Sequence, residues 1–123
     1  MTSDEFEILV RGLGGNVVTR PVLDTVQFHV GGKAIATVNW PARGWAAIKL
    51  DPRDQPWAMA LSPGLSSEPG RRRNAGIVLA RLASLEADVA AELLAAAWRY
   101  GQRRLAPAMR RSAFAPSASA RAA

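Results

Sequence analysis

The chain has 123 residues, 49% of them hydrophobic, which is enough for one domain with one buried core. It contains no cysteine, so disulfide bonds, thiolate metal ligands and cysteine nucleophiles are excluded. The formal net charge is +6, but residues 101–123 contain five arginines and no acid, which leaves +1 for residues 1–100.

The first predicted element is a helix that begins after Thr2. Thr2 and Glu5 fit a capping box, in which each side chain accepts a hydrogen bond from the backbone amide of the other residue. Glycines at positions 12, 14 and 15 end the helix. The apolar residues that recur at helical spacing are Phe6, Leu9, Val10 and Leu13.

Residues 25–50 predict three antiparallel strands, at 25–30, 33–40 and 44–50. The pair Gly31-Gly32 separates the first two, and a two-residue hairpin turn needs the positive φ that glycine adopts without steric cost. The expected register places Phe28 opposite Ile35 and Val26 opposite Thr37 on one face of the sheet. Gln27 and His29 then share the other face with Ala36 and Ala34.

The second half predicts a short helix from about Asp54 to Leu61, an exposed loop, a strand over 75–82 and a helix capped by Ser84. The order is therefore α-β-β-β-α-β-α. This order predicts an α+β fold with an antiparallel meander of four to five strands and the terminal helices on one face. Residues 1–100 form the predicted domain, and the Ala-, Arg-, Ser- and Pro-rich residues 101–123 are expected to be a disordered basic tail.

Three segments resemble the MmcQ/YjbR-like family of small bacterial proteins: 28–38, 44–50 and 76–82. The first is similar to the family signature F-x-V-x-G-K-x-F-A, with Ile35 where an aromatic residue is usual. The resemblance extends in order over roughly residues 3 to 100. Members of this family are described as DNA-binding proteins with a double-wing motif, so the resemblance implies DNA binding through flexible hairpins.

The chemical inventory favours a non-enzymatic protein. His29 is the only histidine, and no carboxylate or nucleophile lies near it in sequence. The acids are scattered singly, which predicts neither a metal site nor a cofactor. The glycines from Gly12 to Gly15 follow a helix instead of preceding one, so they indicate a helix terminator and not a phosphate loop. The chain start is acidic where a signal peptide is basic, and no segment has the length of a membrane span. We therefore expect a monomeric cytoplasmic protein with no membrane partner.

One functional pattern remains, a set of basic residues interleaved with Trp40 and Trp45. It predicts a weak, salt-sensitive DNA contact in which cations neutralise phosphates. Three alternatives stay open: arginines that are simply solvated while Trp45 and Trp57 fill the core and Trp40 covers a sheet edge, a protein-interaction module, and a small-molecule pocket. The candidate nucleic-acid-binding residues are Lys33, Arg43, Lys49, Arg71, Arg72 and Arg73.

Overall fold

The computed structural model describes residues 1–104, which form one six-stranded antiparallel sheet and three α-helices. The helices are α1 (Ser3–Arg11), α2 (Gln55–Met59) and α3 (Ala87–Arg103). The strands are β1 (Val17–Val22), β2 (Thr25–Val30), β3 (Lys33–Val38), β4 (Trp45–Lys49), β5 (Leu65–Ser67) and β6 (Ile77–Arg81). Short 3-10 turns cover Pro52–Asp54, Gly70–Arg72 and Leu82–Ser84.

The strand order across the sheet is β1-β2-β3-β4-β6-β5. The α+β class is confirmed, but the predicted count of four to five strands is wrong because β1 and β5 both pair into the sheet. Both are edge strands. β1 contains Pro21, which an edge strand tolerates because one side of its backbone faces no partner, and β5 has only three residues. Neither carries the alternating apolar pattern of a central strand.

The predicted register of the β2–β3 hairpin is wrong beyond the first pairs. His29 lies opposite Ala34 as expected, but Phe28 pairs with Ala36 and Val26 with Val38. The register shifts between Phe28 and His29, where β3 carries one extra residue, Ile35. Ile35 and Ala36 are consequently both buried, and every later residue of β3 pairs one position further along.

Helices α1 and α3 contact each other, and both contact β3, so the terminal helices lie on one face of the sheet as predicted. The capping box of α1 is confirmed, since the Thr2 hydroxyl accepts from Glu5 N–H and the Glu5 carboxylate accepts from Thr2 N–H. The largest fully buried side chains are Phe6, Phe28, Ile35, Ile48, Leu50, Leu93 and Leu94.

The predicted start of α2 near Asp54 agrees with the structure, in which Asp54 is the N-cap, whereas α3 starts later than predicted. Asp51 and Pro52 open a 3-10 turn, and Pro56 then lies in the first turn of a separate α-helix, where a residue without an N–H costs no helical hydrogen bond. The predicted cap Ser84 ends another 3-10 turn, and α3 is capped by Glu86 two residues later. This turn places Leu82 and Leu85 in the core.

Helix α3 continues to Arg103 and so crosses the predicted domain boundary at residue 100. The tail predicted to be disordered begins at residue 101, but residues 101–103 are helical, and its residues 105–123 lie outside the described residues. Within residues 1–104, no helix is both long and apolar enough to cross a membrane.

Candidate functional site

Most of the predicted basic residues lie at the end of the sheet that holds the Gly31-Gly32 turn, here called the hairpin end. Lys33 is the first residue of β3, and Lys49 is the last residue of the antiparallel neighbour β4. The segment Arg71–Arg73 precedes β6, which pairs with β4 so that Ile77 lies opposite Lys49. Five of the six predicted site residues therefore converge on this end.

The structure separates the sixth residue, Arg43, from this group. Arg43 lies in the turn between β3 and β4, at the opposite end of the sheet. Its surroundings are Asp24, Asn39, Trp40 and Pro41, with which it lines a cleft of about 610 Å³. A strand of six residues spans about 20 Å, so Arg43 and Lys33 cannot contact one phosphate together. Arg43 was grouped with the other cations because it lies near Trp40 and Trp45 in the sequence. In the sheet, however, strand direction determines which cations lie at the same end.

Arg104 also belongs to the hairpin end, although the sequence analysis assigned it to the tail. Its guanidinium donates a hydrogen bond to the Ala34 carbonyl at 3.4 Å and lies 4.5 Å from the centroid of the Tyr100 ring. Pairing of β3 with β4 stops at Ala36 and Ile48, just before this point. The buried positions Ala90, Leu94, Ala97 and Gly101 recur every three or four residues, and Arg104 is the next one in this series. That periodicity is the signal that predicts its inward position.

Lys49 is partly buried at this end, and its ammonium donates a hydrogen bond to the Ala75 carbonyl. Burial lowers the pKa of Lys49, and the neighbouring guanidinium groups of Arg104 and Arg72 lower it further. Both effects disfavour the charged ammonium of Lys49. An anion bound beside Lys49, Arg72 and Arg104 would offset both effects, because its negative charge stabilises the ammonium.

Arg72 forms the main local ion pair. Its Nε lies 3.5 Å from Glu68 Oε2, and the Glu68 side chain is 14% exposed whereas that of Arg72 is 64% exposed. Since the remaining face of the Arg72 guanidinium points to solvent, this pair leaves donors free for a second acceptor.

A cleft of about 410 Å³ runs over the sheet face that α1 and α3 leave open. Its wall at the hairpin end is formed by Lys49, Arg72 and Arg104, together with Glu68. Gln27 and Thr37, which pair across β2 and β3, lie in the middle. At the far end the wall includes Thr25 and Trp40.

The tryptophans are more exposed than expected if Trp45 and Trp57 filled the core. Trp57 is 43% exposed, so the expectation that it fills the core is wrong. Trp45 is partly buried and carries the Arg81 guanidinium 5.1 Å from its ring centroid. Trp40 is 38% exposed and borders both clefts.

His29 contacts an amide and not an acid or a nucleophile. Its Nε2 lies 2.9 Å from Gln27 Oε1, on the open face of β2. Among residues 1–104, no group of three or more histidines and carboxylates is arranged to hold a metal ion. The side chains that do converge in the cleft are three cations, the Glu68 carboxylate, hydroxyls and an amide, so positive charge is in excess and favours an anion.

No protein-family model, curated protein or solved structure that was compared with this chain matches it. The resemblance to the MmcQ/YjbR-like family therefore remains a prediction from the three segments that carry it.

Proposed function

We propose that the protein is a monomeric, cytoplasmic, non-enzymatic DNA-binding protein of the MmcQ/YjbR-like family, which contacts the phosphate backbone with its hairpin end. The observation that supports this most is the convergence of Lys33, Lys49 and Arg71–Arg73 at one end of three adjacent strands. These cations come from distant parts of the sequence, and the sheet brings them together.

The spacing of these cations suits a nucleic-acid groove. Strands β3, β4 and β6 are neighbours, so their ends cover about 10 Å across the sheet, close to the roughly 12 Å width of the major groove. Lys33, Arg71 and Arg73 are exposed and have no ion-pair partner within residues 1–104. Long cationic side chains in such a row neutralise phosphates without reading bases, which favours binding that does not depend on sequence.

Fluorescence anisotropy with a labelled DNA duplex, recorded over a series of salt concentrations, tests this proposal on the full chain. The variant Arg71→Ala/Arg73→Ala removes two cations of the row. The matched control Arg20→Ala/Arg43→Ala removes two exposed cations elsewhere on the sheet, so both variants have the same net charge. Arg72 is left intact because it also lines the cleft.

We expect the row variant to bind at least about tenfold more weakly at low salt, and its negative slope of log affinity against log salt to become shallower by about 2. The control should keep the wild-type slope. Equal losses in the two variants would mean that net charge alone drives binding, and a wild-type protein that does not bind at low salt would overturn the proposal.

A further inference from the structure

The cleft on the open face has an uncompensated positive end. Lys49, Arg72 and Arg104 face one carboxylate, that of Glu68, which leaves two positive charges. A phosphate monoester carries about −1.5 to −2 at neutral pH, so its charge matches this excess. Arginine guanidinium groups also fit phosphate oxygens with paired hydrogen bonds, whereas a lone lysine acts as a point charge.

The existing contacts of these cations leave donors for a ligand. Arg104 Nε is buried and has no hydrogen-bond partner within residues 1–104, although another nitrogen of the same group donates to the Ala34 carbonyl. A buried donor without an acceptor costs about 1–3 kcal/mol, so an anion that accepts from it would be favoured. Lys49 donates to a neutral carbonyl, and Glu68 forms one ion pair within residues 1–104, with Arg72 at 3.5 Å.

The rest of the cleft is suited to an uncharged, ring-bearing group. Thr25, Thr37 and Gln27 supply neutral donors and acceptors along its middle. Trp40 offers a partly exposed aromatic surface at the end away from the cations. The volume of about 410 Å³ lies within the range of roughly 300–1,000 Å³ that holds small organic ligands.

We propose that this cleft binds a small phosphate monoester whose organic part contains a flat ring, the chemical class of a mononucleotide. The phosphate lies between Lys49, Arg72 and Arg104, and the ring packs against Trp40. This site shares Lys49 and Arg72 with the proposed DNA contact, but it lies on the open face of the sheet and needs neither Lys33, Arg71 nor Arg73.

Nuclear magnetic resonance of the full chain can locate such a ligand, because the sequence contains only two lysines, Lys33 and Lys49. Selective ¹³C labelling of lysine then gives two side-chain signals, one from the cleft and one from an exposed residue at the same end of the sheet. The probes are adenosine 5′-monophosphate, adenosine, ribose 5-phosphate and inorganic phosphate, and assigned tryptophan indole signals report on Trp40.

Adenosine 5′-monophosphate should shift the signals of Lys49 and Trp40 with a saturating titration curve and leave that of Lys33 nearly unchanged. Ribose 5-phosphate and inorganic phosphate should shift Lys49 without Trp40, and adenosine should bind more weakly than the monophosphate. Equal shifts of both lysines, or no saturable shift of Lys49 with any phosphate probe, would overturn the proposal.

Variants separate the phosphate contact from the ring contact. Arg72→Ala should weaken binding of the monophosphate about tenfold or more. Glu68→Gln should strengthen binding at least roughly threefold because it removes the one competing carboxylate. Trp40→Ala should weaken binding of the monophosphate but not of inorganic phosphate.

Lys33→Ala removes a lysine at the same end without touching the cleft, and it should bind the monophosphate like the wild type. Thermal unfolding of each variant confirms that it is folded. If folded Arg72→Ala and Glu68→Gln proteins both bind with wild-type affinity, the cleft is not the site. A wild-type protein that does not bind DNA at low salt but shows the expected Lys49 response would refute the proposed function alone. A protein that binds DNA with the expected salt dependence but shows no saturable Lys49 response would refute the cleft alone.

Discussion

At the scale of single residues, Gly76 is the position where the backbone depends most on the absence of a side chain. Its φ is +91°, and a β-carbon there would lie 2.2 Å from the Leu50 carbonyl oxygen. The same glycine donates to the Gln55 side chain and accepts from Leu50 N–H. Gly76 thereby joins the end of β4 to the start of β6 behind Lys49.

Gly76→Ala should reduce the free energy of unfolding by at least about 2 kcal/mol, because the clash with a backbone atom adds to the cost of positive φ. Urea unfolding followed by tryptophan fluorescence measures the change. Gly32→Ala isolates the φ effect, since φ is +81° but nothing lies within 4 Å, and it should cost about 1 kcal/mol. Gly15→Ala, in open space, should change stability by less than about 0.5 kcal/mol. A Gly76→Ala protein no less stable than Gly32→Ala would contradict the close approach.

Individual residues also show which structural features can be predicted from the sequence alone. The capping box of Thr2 and Glu5 was predictable because both hydrogen bonds join residues three positions apart. The extra residue Ile35 was not, since a bulge is defined only against its partner strand. Arg104 was missed for a similar reason: composition grouped it with the tail, whereas its position is set by packing of α3 on the sheet.

At the scale of elements, Asp51 connects the turn before α2 to the end of α3. Its carboxylate accepts from the Arg53 side chain at 2.9 Å, from the Arg53 backbone amide at 3.0 Å, and from Arg103 at 3.4 Å. The Arg53 side-chain hydrogen bond is the largest cause that lowers the pKa of Asp51 from 3.8 to about 2.

A carboxyl group with a lowered pKa stabilises the folded state when it is ionised. Its contribution is complete above the ordinary pKa of 3.8 and is lost as the pH falls towards about 2. Asp51→Asn should therefore be less stable than the wild type at neutral pH, and the difference should shrink across this window. Urea unfolding at several pH values measures it, with Asp24→Asn in the β1–β2 turn as a control of equal charge. A difference that does not depend on pH would contradict the role of the Asp51 carboxylate.

The elements differ in how far their sequences predict them. Helices α1 and α3 and strands β2, β3 and β4 carry periodic patterns, and β6 is a short aliphatic run between polar residues, so the α+β class followed from them. Strands β1 and β5 were not predicted, because each acquires its conformation by pairing with a neighbour and has little apolar pattern of its own. The candidate site depended on the same long-range pairing. Strand direction, which local sequence does not encode, placed Arg43 at one end and the other cations at the other.

At the scale of the whole molecule, charge is divided between the two ends of the sheet. The starts of α1 and α3 lie near Leu82, away from the hairpin end, and carry acids that complement the positive ends of their dipoles. Arg103 and Arg104 lie at the C-terminus of α3, beside the basic row. Arg43, Arg81 and the Met1 ammonium lie at the same end as these acids and offset part of their charge.

Neutralising acids at the far end should have little effect on DNA binding, although it raises the net charge. Glu86→Gln/Asp88→Asn changes the charge by as much as Arg71→Ala/Arg73→Ala, but it acts at the start of α3, about 20 Å from the row and beyond the roughly 10 Å Debye length at 0.1 M salt. We expect its affinity for duplex DNA to stay within about twofold of the wild type in the anisotropy measurement. A gain of tenfold would mean that net charge, and not the hairpin end, governs binding.

The division of charge has a kinetic consequence. A molecule whose opposite charges lie at opposite ends has a large electric dipole moment for its net charge. Near a polyanion it experiences a torque as well as an attraction, so it turns its hairpin end forward before contact. The encounter rate should consequently depend on ionic strength more steeply than the net charge of residues 1–104 requires, because salt weakens the alignment as well as the attraction.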